Sequence, residues 1–223
     1  MDIYDTWIGP SPVTAHQIDT LLLSVNPSSP RVGGDYVSLG KRFGLKAHFA
    51  VAQMIWETDW LRFTGSVKVE SHNMAGMKGI DGRWLAFPGW YEGIHAHYER
   101  LAQYAFGSCP NTECGQDDPS YSDKHWQYQR LIATRGRADR VVDIGSLWCA
   151  SDTPESYAGH LVGLAERLLE VPDDGSLPSG GMDSHSWITP KSAPVLLLAG
   201  AVASGFVMAG MVAMLRPKKK IGK

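Results

Sequence analysis

One carboxylate stands alone in an otherwise apolar stretch. Residues 48–60 read His-Phe-Ala-Val-Ala-Gln-Met-Ile-Trp-Glu-Thr-Asp-Trp, and Glu57 has no basic neighbour within it. Burying a carboxyl group without a cation disfavours its charged form and holds its proton to higher pH, the state a general acid needs. The chemistry of this chain is therefore expected at Glu57.

Other reactive side chains are weaker candidates. His95 and His97 are two positions apart on an expected helix, so they point to different sides and cannot chelate a metal from it. No metal and no cofactor is expected. Trp56, Trp60, Trp84 and Trp90 have the flat apolar faces on which sugar rings stack. Trp84 and Trp90 are expected at substrate and Trp56 in the core.

The elements that must position Glu57 read as helices. Thr14-Ala-His-Gln17 is a capping box opening a helix at 14–24, closed by Asn26-Pro-Ser-Ser-Pro30. A second helix is expected at 35–44 with Gly44 as a left-handed cap, and a third at 46–58. Ala50, Met54 and Glu57 share a face of that third helix, four and three residues apart. Between 65 and 89, Gly65, Gly76, Gly79, Gly82 and Gly89 interrupt alternating apolar positions, which reads as loops and one short hairpin lining a site. Helical spacing returns at 91–105, 126–134, 142–150 and 154–169, the last with Tyr157, Leu161, Leu164 and Leu168 as an apolar stripe.

The helix carrying Glu57 is similar to that of glycoside hydrolase family 73, the peptidoglycan-cleaving N-acetylglucosaminidases, whose pattern is roughly "lAQaiwETGw". The likeness continues through Leu61-Arg-Phe-Thr-Gly-Ser-Val-Lys-Val-Glu-Ser-His-Asn-Met-Ala-Gly-Met-Lys-Gly79. It resumes at Phe87-Pro-Gly-Trp-Tyr-Glu-Gly-Ile-His-Ala-His-Tyr-Glu-Arg-Leu101. The resemblance implies a mainly α fold of the α+β lysozyme-like kind, in which a helical core and a small irregular or hairpin lobe form a saccharide groove. It implies Glu57 as the acid that protonates the glycosidic oxygen, with Asn73, Gly76, Phe87 and Tyr91 lining or shaping the groove. Two departures stand out: Asp59 replaces the family's Gly, and the lobe between 79 and 87 is short. Lytic transglycosylases, which share the fold type and a single catalytic Glu, and a non-catalytic wall-binding or virion structural protein are the alternatives.

A second carboxylate is open at this level. Inverting glycosidases hold two carboxyl groups ~6.5–9.5 Å apart around a water, and retaining ones hold them closer. Glu70, Asp81 and Glu92 are the candidates, the last two weaker because a turn suits Asp81 and the start of a helix suits Glu92. Assistance by the substrate's N-acetyl group would make all three dispensable.

The C-terminus is of another kind. Residues 193–215 carry no charge, and the 21 residues from 195 to 215 match the ~20 that cross a bilayer as a helix. Arg216, Lys218, Lys219, Lys220 and Lys223 follow at once. The organisation expected is a lysozyme-like domain at 1–171, a flexible Pro/Gly/Ser linker at 172–194, a transmembrane helix at 195–215 and a basic tail at 216–223. Ala201, Gly205, Ala209 and Ala213 recur every fourth residue, a face that permits helix self-association. The positive-inside rule then puts the enzyme domain on the wall side of a cell or virion membrane. Residues 1–24 lack a basic region followed by an apolar one, so export by a signal peptide is not expected, and a phage virion or lysis enzyme would reconcile the two.

Composition narrows the partners. Taking the five basic residues of the tail from 21 leaves 16 against 23 acidic residues, a net charge of −7 for everything before it. Such a domain does not neutralise phosphates, which argues against a nucleic-acid partner. The partners expected are peptidoglycan glycan strands and a lipid bilayer. Of three cysteines, Cys109 and Cys114 could close a small disulfide and Cys149 reads as a buried thiol.

Overall fold

The computed structural model describes residues 1–79, 81–106, 136, 138–148 and 152–174. Six α-helices and one short 3-10 turn lie among them: α1 (Ala15–Val25), α2 (Gly33–Phe43), α3 (Ala47–Thr58), α4 (Trp90–Phe106), α5 (Val141–Trp148) and α6 (Pro154–Glu170). The domain is mainly helical, as the periodicity requires. The expected helix at 126–134, the three cysteines, most of the linker, the apolar run 195–215 and the basic tail lie outside the described residues. Among the described residues no helix is long and apolar enough to cross a membrane.

α3 is the central element. Nine of its residues, from Ala47 to Ile55, are buried on all sides, so it is surrounded by helices rather than laid on a surface. Its most extensive packing is against α6, with α2 on another side. Trp7 from the N-terminal segment closes the core and donates its indole N–H to the Ala138 carbonyl at 2.9 Å.

The helix ends follow their local chemistry. Thr14 accepts from the Gln17 amide while the Gln17 side chain accepts from the Thr14 amide, so the predicted capping box is formed. Gly44 ends α2 at φ 69, again as expected. α2 starts earlier than its sequence suggests, because Gly33 lets the chain pass where a Cβ would lie 2.2 Å from the Ala15 carbonyl oxygen. Glycine there serves helix contact, a use that a propensity argument reads as a break.

Between α3 and α4 the chain forms the small lobe. Its hairpin is reduced to one antiparallel bridge between Lys78 and Trp84, with Gly82 at φ 77 in the turn. The lobe has its own core of Ala75, Met77 and Phe87 set against Ala96 of α4, with Leu85 and Trp148 packed around it.

Candidate active site

Glu57 lies in the last turn of α3, half-buried. Its Oε1 accepts a 2.7 Å hydrogen bond from the Tyr157 hydroxyl of α6. Its other oxygen faces the lobe: a Cβ on Gly76 would lie 3.7 Å from Glu57 Oε2 and 3.7 Å from the Trp84 ring. Burial pushes the Glu57 carboxyl up to about 7, against the opposing pulls of the Tyr157 bond and the Arg100 charge. A side chain with that affinity holds a proton near neutral pH and can deliver it.

The backbone beyond Glu57 is held in an uncommon conformation. Asp59, Trp60, Leu61 and Phe63 all have positive φ, between 50 and 60°, where a Cβ is costly. Several hydrogen bonds fix the run. The Leu61 amide donates to Thr58 Oγ1 at 2.9 Å, the Phe63 amide to the Thr58 carbonyl at 2.8 Å, and Asn26 Nδ2 to the Trp60 carbonyl at 2.9 Å. Asp59 ends α3 at φ 50. Its position explains the glycine of the family pattern, since Gly and Asp are residues that enter the left-handed region at low cost. The Asp59 carboxylate also pairs with Arg62 and accepts from Thr64 Oγ1 at 3.0 Å, so the departure is accommodated.

Of the expected binding residues, the structure brings Gly76 and Trp84 to Glu57. Trp84 is 40% exposed beside Gly76, with the Lys78 ammonium 4.2 Å from its ring centroid. Asn73 does not line a surface: it is fully buried and braces the lobe from within. Its Nδ2 donates to the carbonyls of Met77 (2.8 Å) and Leu85 (3.0 Å), and its Oδ1 accepts from the Met77 amide at 2.8 Å. Phe87 is buried in the lobe core, while Trp90 stands edge-on to His72 with centroids 4.6 Å apart and packs on the main core. Tyr91 is exposed on the side of α4 near Arg42, whose Nη1 donates to its hydroxyl at 3.4 Å.

Trp56 is a correction. Expected in the core, it is 38% exposed, because α3 emerges from the bundle at this turn; one face of its indole is covered by the His160 ring at 3.9 Å.

Of the three other carboxylates, Asp81 and Glu92 have contacts of their own. Glu70 is exposed on the 3-10 turn Val69–Ser71. Asp81 is paired with Arg83 across the hairpin turn, Arg83 Nε to Oδ2 at 2.6 Å, and that bond together with the Arg83 amide holds its carboxyl below the usual range. Glu92 folds back over Gly89, where a Cβ would lie 2.8 Å from its Oε2. None of these contacts is with Glu57. Among the described residues no group of His, Cys, Asp and Glu could hold a metal ion.

Residues 33–169 match the Glucosaminidase family, described as mannosyl-glycoprotein endo-beta-N-acetylglucosaminidase. The chain belongs to the glucosaminidase family. It is thereby of the glycoside-hydrolase class, and the helical bundle with an appended lobe is consistent with a lysozyme-like glucosaminidase domain. The chain is also similar to an uncharacterized protein of Borreliella burgdorferi, 28% identical over 133 residues, 56% of this chain. It spans 60% of that relative's length.

Sequence reasoning did not place Tyr157 beside Glu57. Tyr157 was legible only as part of an apolar stripe, and it is indeed fully buried. The available signal was its hydroxyl, since a buried tyrosine needs a partner for that group.

The lobe's dependence on Asn73 is testable. Replacing it with Ala leaves a buried amide and two carbonyls without their partners, so Asn73→Ala is expected to cost about 2–4 kcal/mol, read as a lower urea midpoint.

Proposed function

We propose that this glucosaminidase domain cleaves peptidoglycan glycan strands at N-acetylglucosamine, with Glu57 as the general acid. The observation that carries the reading is Glu57 itself: a carboxyl group that keeps its proton to about pH 7, with one oxygen turned towards an exposed tryptophan and a glycine. The acid proton passes from Glu57 to the glycosidic oxygen as the C1–O bond breaks; water then gives its hydroxyl to C1 and its remaining proton to the Glu57 carboxylate, which restores the acid. Asp81 is held by Arg83 and Glu92 lies over Gly89, and stabilisation of the sugar cation by the substrate's own N-acetyl group needs no carboxylate partner for Glu57.

The run 195–215 supports a further part of the proposal, that the enzyme is tethered to a membrane beside its insoluble polymer. Tethering raises the effective concentration of enzyme at the wall without any new contact. Protease protection of residues 1–171 in intact cells or virions would report the side on which the domain lies.

The decisive experiment is digestion of purified cell wall by the full-length chain with mass spectrometry of the fragments. Fragments ending in reducing N-acetylglucosamine are expected. Anhydro-muramic acid ends would replace this reading with a lytic transglycosylase, and binding without cleavage would replace it with a wall-binding protein. The same assay checks Trp84. Loss of its stacking face in Trp84→Ala is expected to raise KM about tenfold with kcat little changed, the pattern of a residue that binds ground and transition states alike.

A further inference from the structure

Behind Glu57 a line of polar groups crosses the core. The Tyr157 hydroxyl, which donates to Glu57 Oε1 at 2.7 Å, receives Gln53 Nε2 at 2.9 Å. Gln53 Oε1 is 2.9 Å from His97 Nε2, and His97 Nδ1 is 3.3 Å from the Tyr36 hydroxyl. Four helices contribute: Tyr36 from α2, Gln53 and Glu57 from α3, His97 from α4 and Tyr157 from α6. Tyr36, His97 and Tyr157 are fully buried and Gln53 is 2% exposed. An apolar core of this size does not need such a line, and each polar group placed in it costs free energy unless it is paired.

One condition fixes the direction of every bond. An ionised carboxylate only accepts, so Tyr157 directs its single proton at Glu57 Oε1, and its oxygen then accepts from the Gln53 amide nitrogen. The Gln53 carbonyl is left facing His97, so His97 Nε2 carries the hydrogen. Burial holds the His97 imidazole neutral, its pKa pushed down to about 3. His97 Nδ1 is therefore bare and accepts from Tyr36. When Glu57 takes up a proton, placing it on Oε1 would set donor against donor at Tyr157. With the Tyr157 bond kept, the proton goes to Oε2.

We propose that Gln53 and His97 are positioning residues for the acid: with Tyr36 and Tyr157 they form a one-way chain of hydrogen bonds that keeps the proton of Glu57 on Oε2, the oxygen facing Gly76 and Trp84. The inference deepens the reading of Glu57 as general acid and rests on it. The groups facing Glu57 are Tyr157 from α6, the Arg100 charge from α4, and Gly76 and Trp84 from the lobe. Those facing His97 are Tyr36, Gln53, Arg100, the neighbouring Tyr98 ring and the edge-on ring of Trp148.

The test uses the full-length chain and two readouts that need no substrate. The first is the side-chain ¹⁵N NMR spectrum of His97, where the Nε2–H tautomer is expected at pH 6; the Nδ1–H tautomer or an imidazolium would overturn the proposal. The second is the titration of the Glu57 carboxyl by infrared difference against Glu57→Gln. His97→Leu frees the Gln53 amide to turn over and draw the Tyr157 proton away from Glu57, so the carboxyl midpoint moves up. Gln53→Met removes the polarising donor to Tyr157 and moves it the same way. His97→Gln, which can still donate to Gln53 and accept from Tyr36, leaves it in place. On cell wall the first two lower kcat about tenfold at unchanged KM and His97→Gln restores it. Folded Leu and Met variants with an unmoved midpoint would show the chain to be structural only, and should they fail to fold, the His97 tautomer in the native chain decides. A native chain inactive on cell wall would remove the proposed substrate while both spectroscopic results still stand or fall alone.

Discussion

Glu57→Gln is expected to lower the rate of glycan cleavage by about 10²–10⁴, the range assigned to a lost general acid, while raising thermal stability above neutral pH. The amide preserves the shape of the side chain and can still accept the Tyr157 hydroxyl at the position of Oε1. What it lacks is a proton to give. The stability change follows from the direction of the pKa shift. The native Glu57 keeps its proton to about pH 7, whereas an unfolded Glu releases it near 4.5. Below 4.5 both states are neutral and burial is tolerated. As pH rises through about 7 the folded chain must carry a poorly solvated charge, and the stability present at low pH is lost. Gln never ionises, so the variant escapes this loss by an amount on the order of 1–3 kcal/mol after solvent screening. Activity of the native chain should fall along the same limb, as the acid form is depleted above pH 7. Melting curves of the two proteins at pH 5 and pH 8, with initial rates across that range, check both halves. Equal rates for the two proteins would remove Glu57 from the mechanism, and a stability difference independent of pH would remove its buried proton.

The trade of stability for a protonated acid also explains which parts of the site could be read in advance. Glu57 stood out in the sequence because a lone carboxylate in the apolar segment 48–60 violates the pattern around it, and the structure gives that side chain a raised proton affinity. The helices were legible where cap and periodicity agreed, as at Thr14 and Gln17 or at Gly44. What failed was the environment of side chains whose type has two uses. Trp56 is large and apolar, which suits a core, yet the end of α3 places it at the surface. Asn73 is polar, which suits a groove, yet the lobe is too small to close its backbone hydrogen bonds by pairing strands and uses the Asn73 amide instead. Gln53, His97 and Tyr157 come from three helices, and a hydrogen-bonded line across a bundle has no period in the chain that carries it. Contact between distant residues was the missing information in each case.

Gly93→Ala is expected to damage the site from a distance. Gly93 is buried in the first turn of α4, and a Cβ there would lie 1.9 Å from the His72 carbonyl oxygen and 3.1 Å from its carbonyl carbon. The obstacle is backbone, which cannot turn aside as the end of a flexible side chain could. His72 is itself fixed: its φ is 48, its amide donates to the Val69 carbonyl at 3.1 Å, and its Nδ1 bonds the Phe87 carbonyl at 2.9 Å. Relief therefore requires the lobe as a unit to move away from α4 by about 1 Å or more, since carbon and oxygen in ordinary contact stand ~3.5 Å apart. That shift carries Asn73, Gly76 and Trp84 with it, while Glu57 stays on α3. A misplacement of about 1 Å can cost on the order of 10² in rate even when no reacting group is altered. The overpacking should also lower stability by about 1–3 kcal/mol. The expected signature is a large fall in kcat/KM together with a Glu57 midpoint that moves down as the lobe's cover over Oε2 is withdrawn, since burial is the main cause of its raised value. A variant that retains full activity would show that the lobe's position over Glu57 is not what the reaction requires.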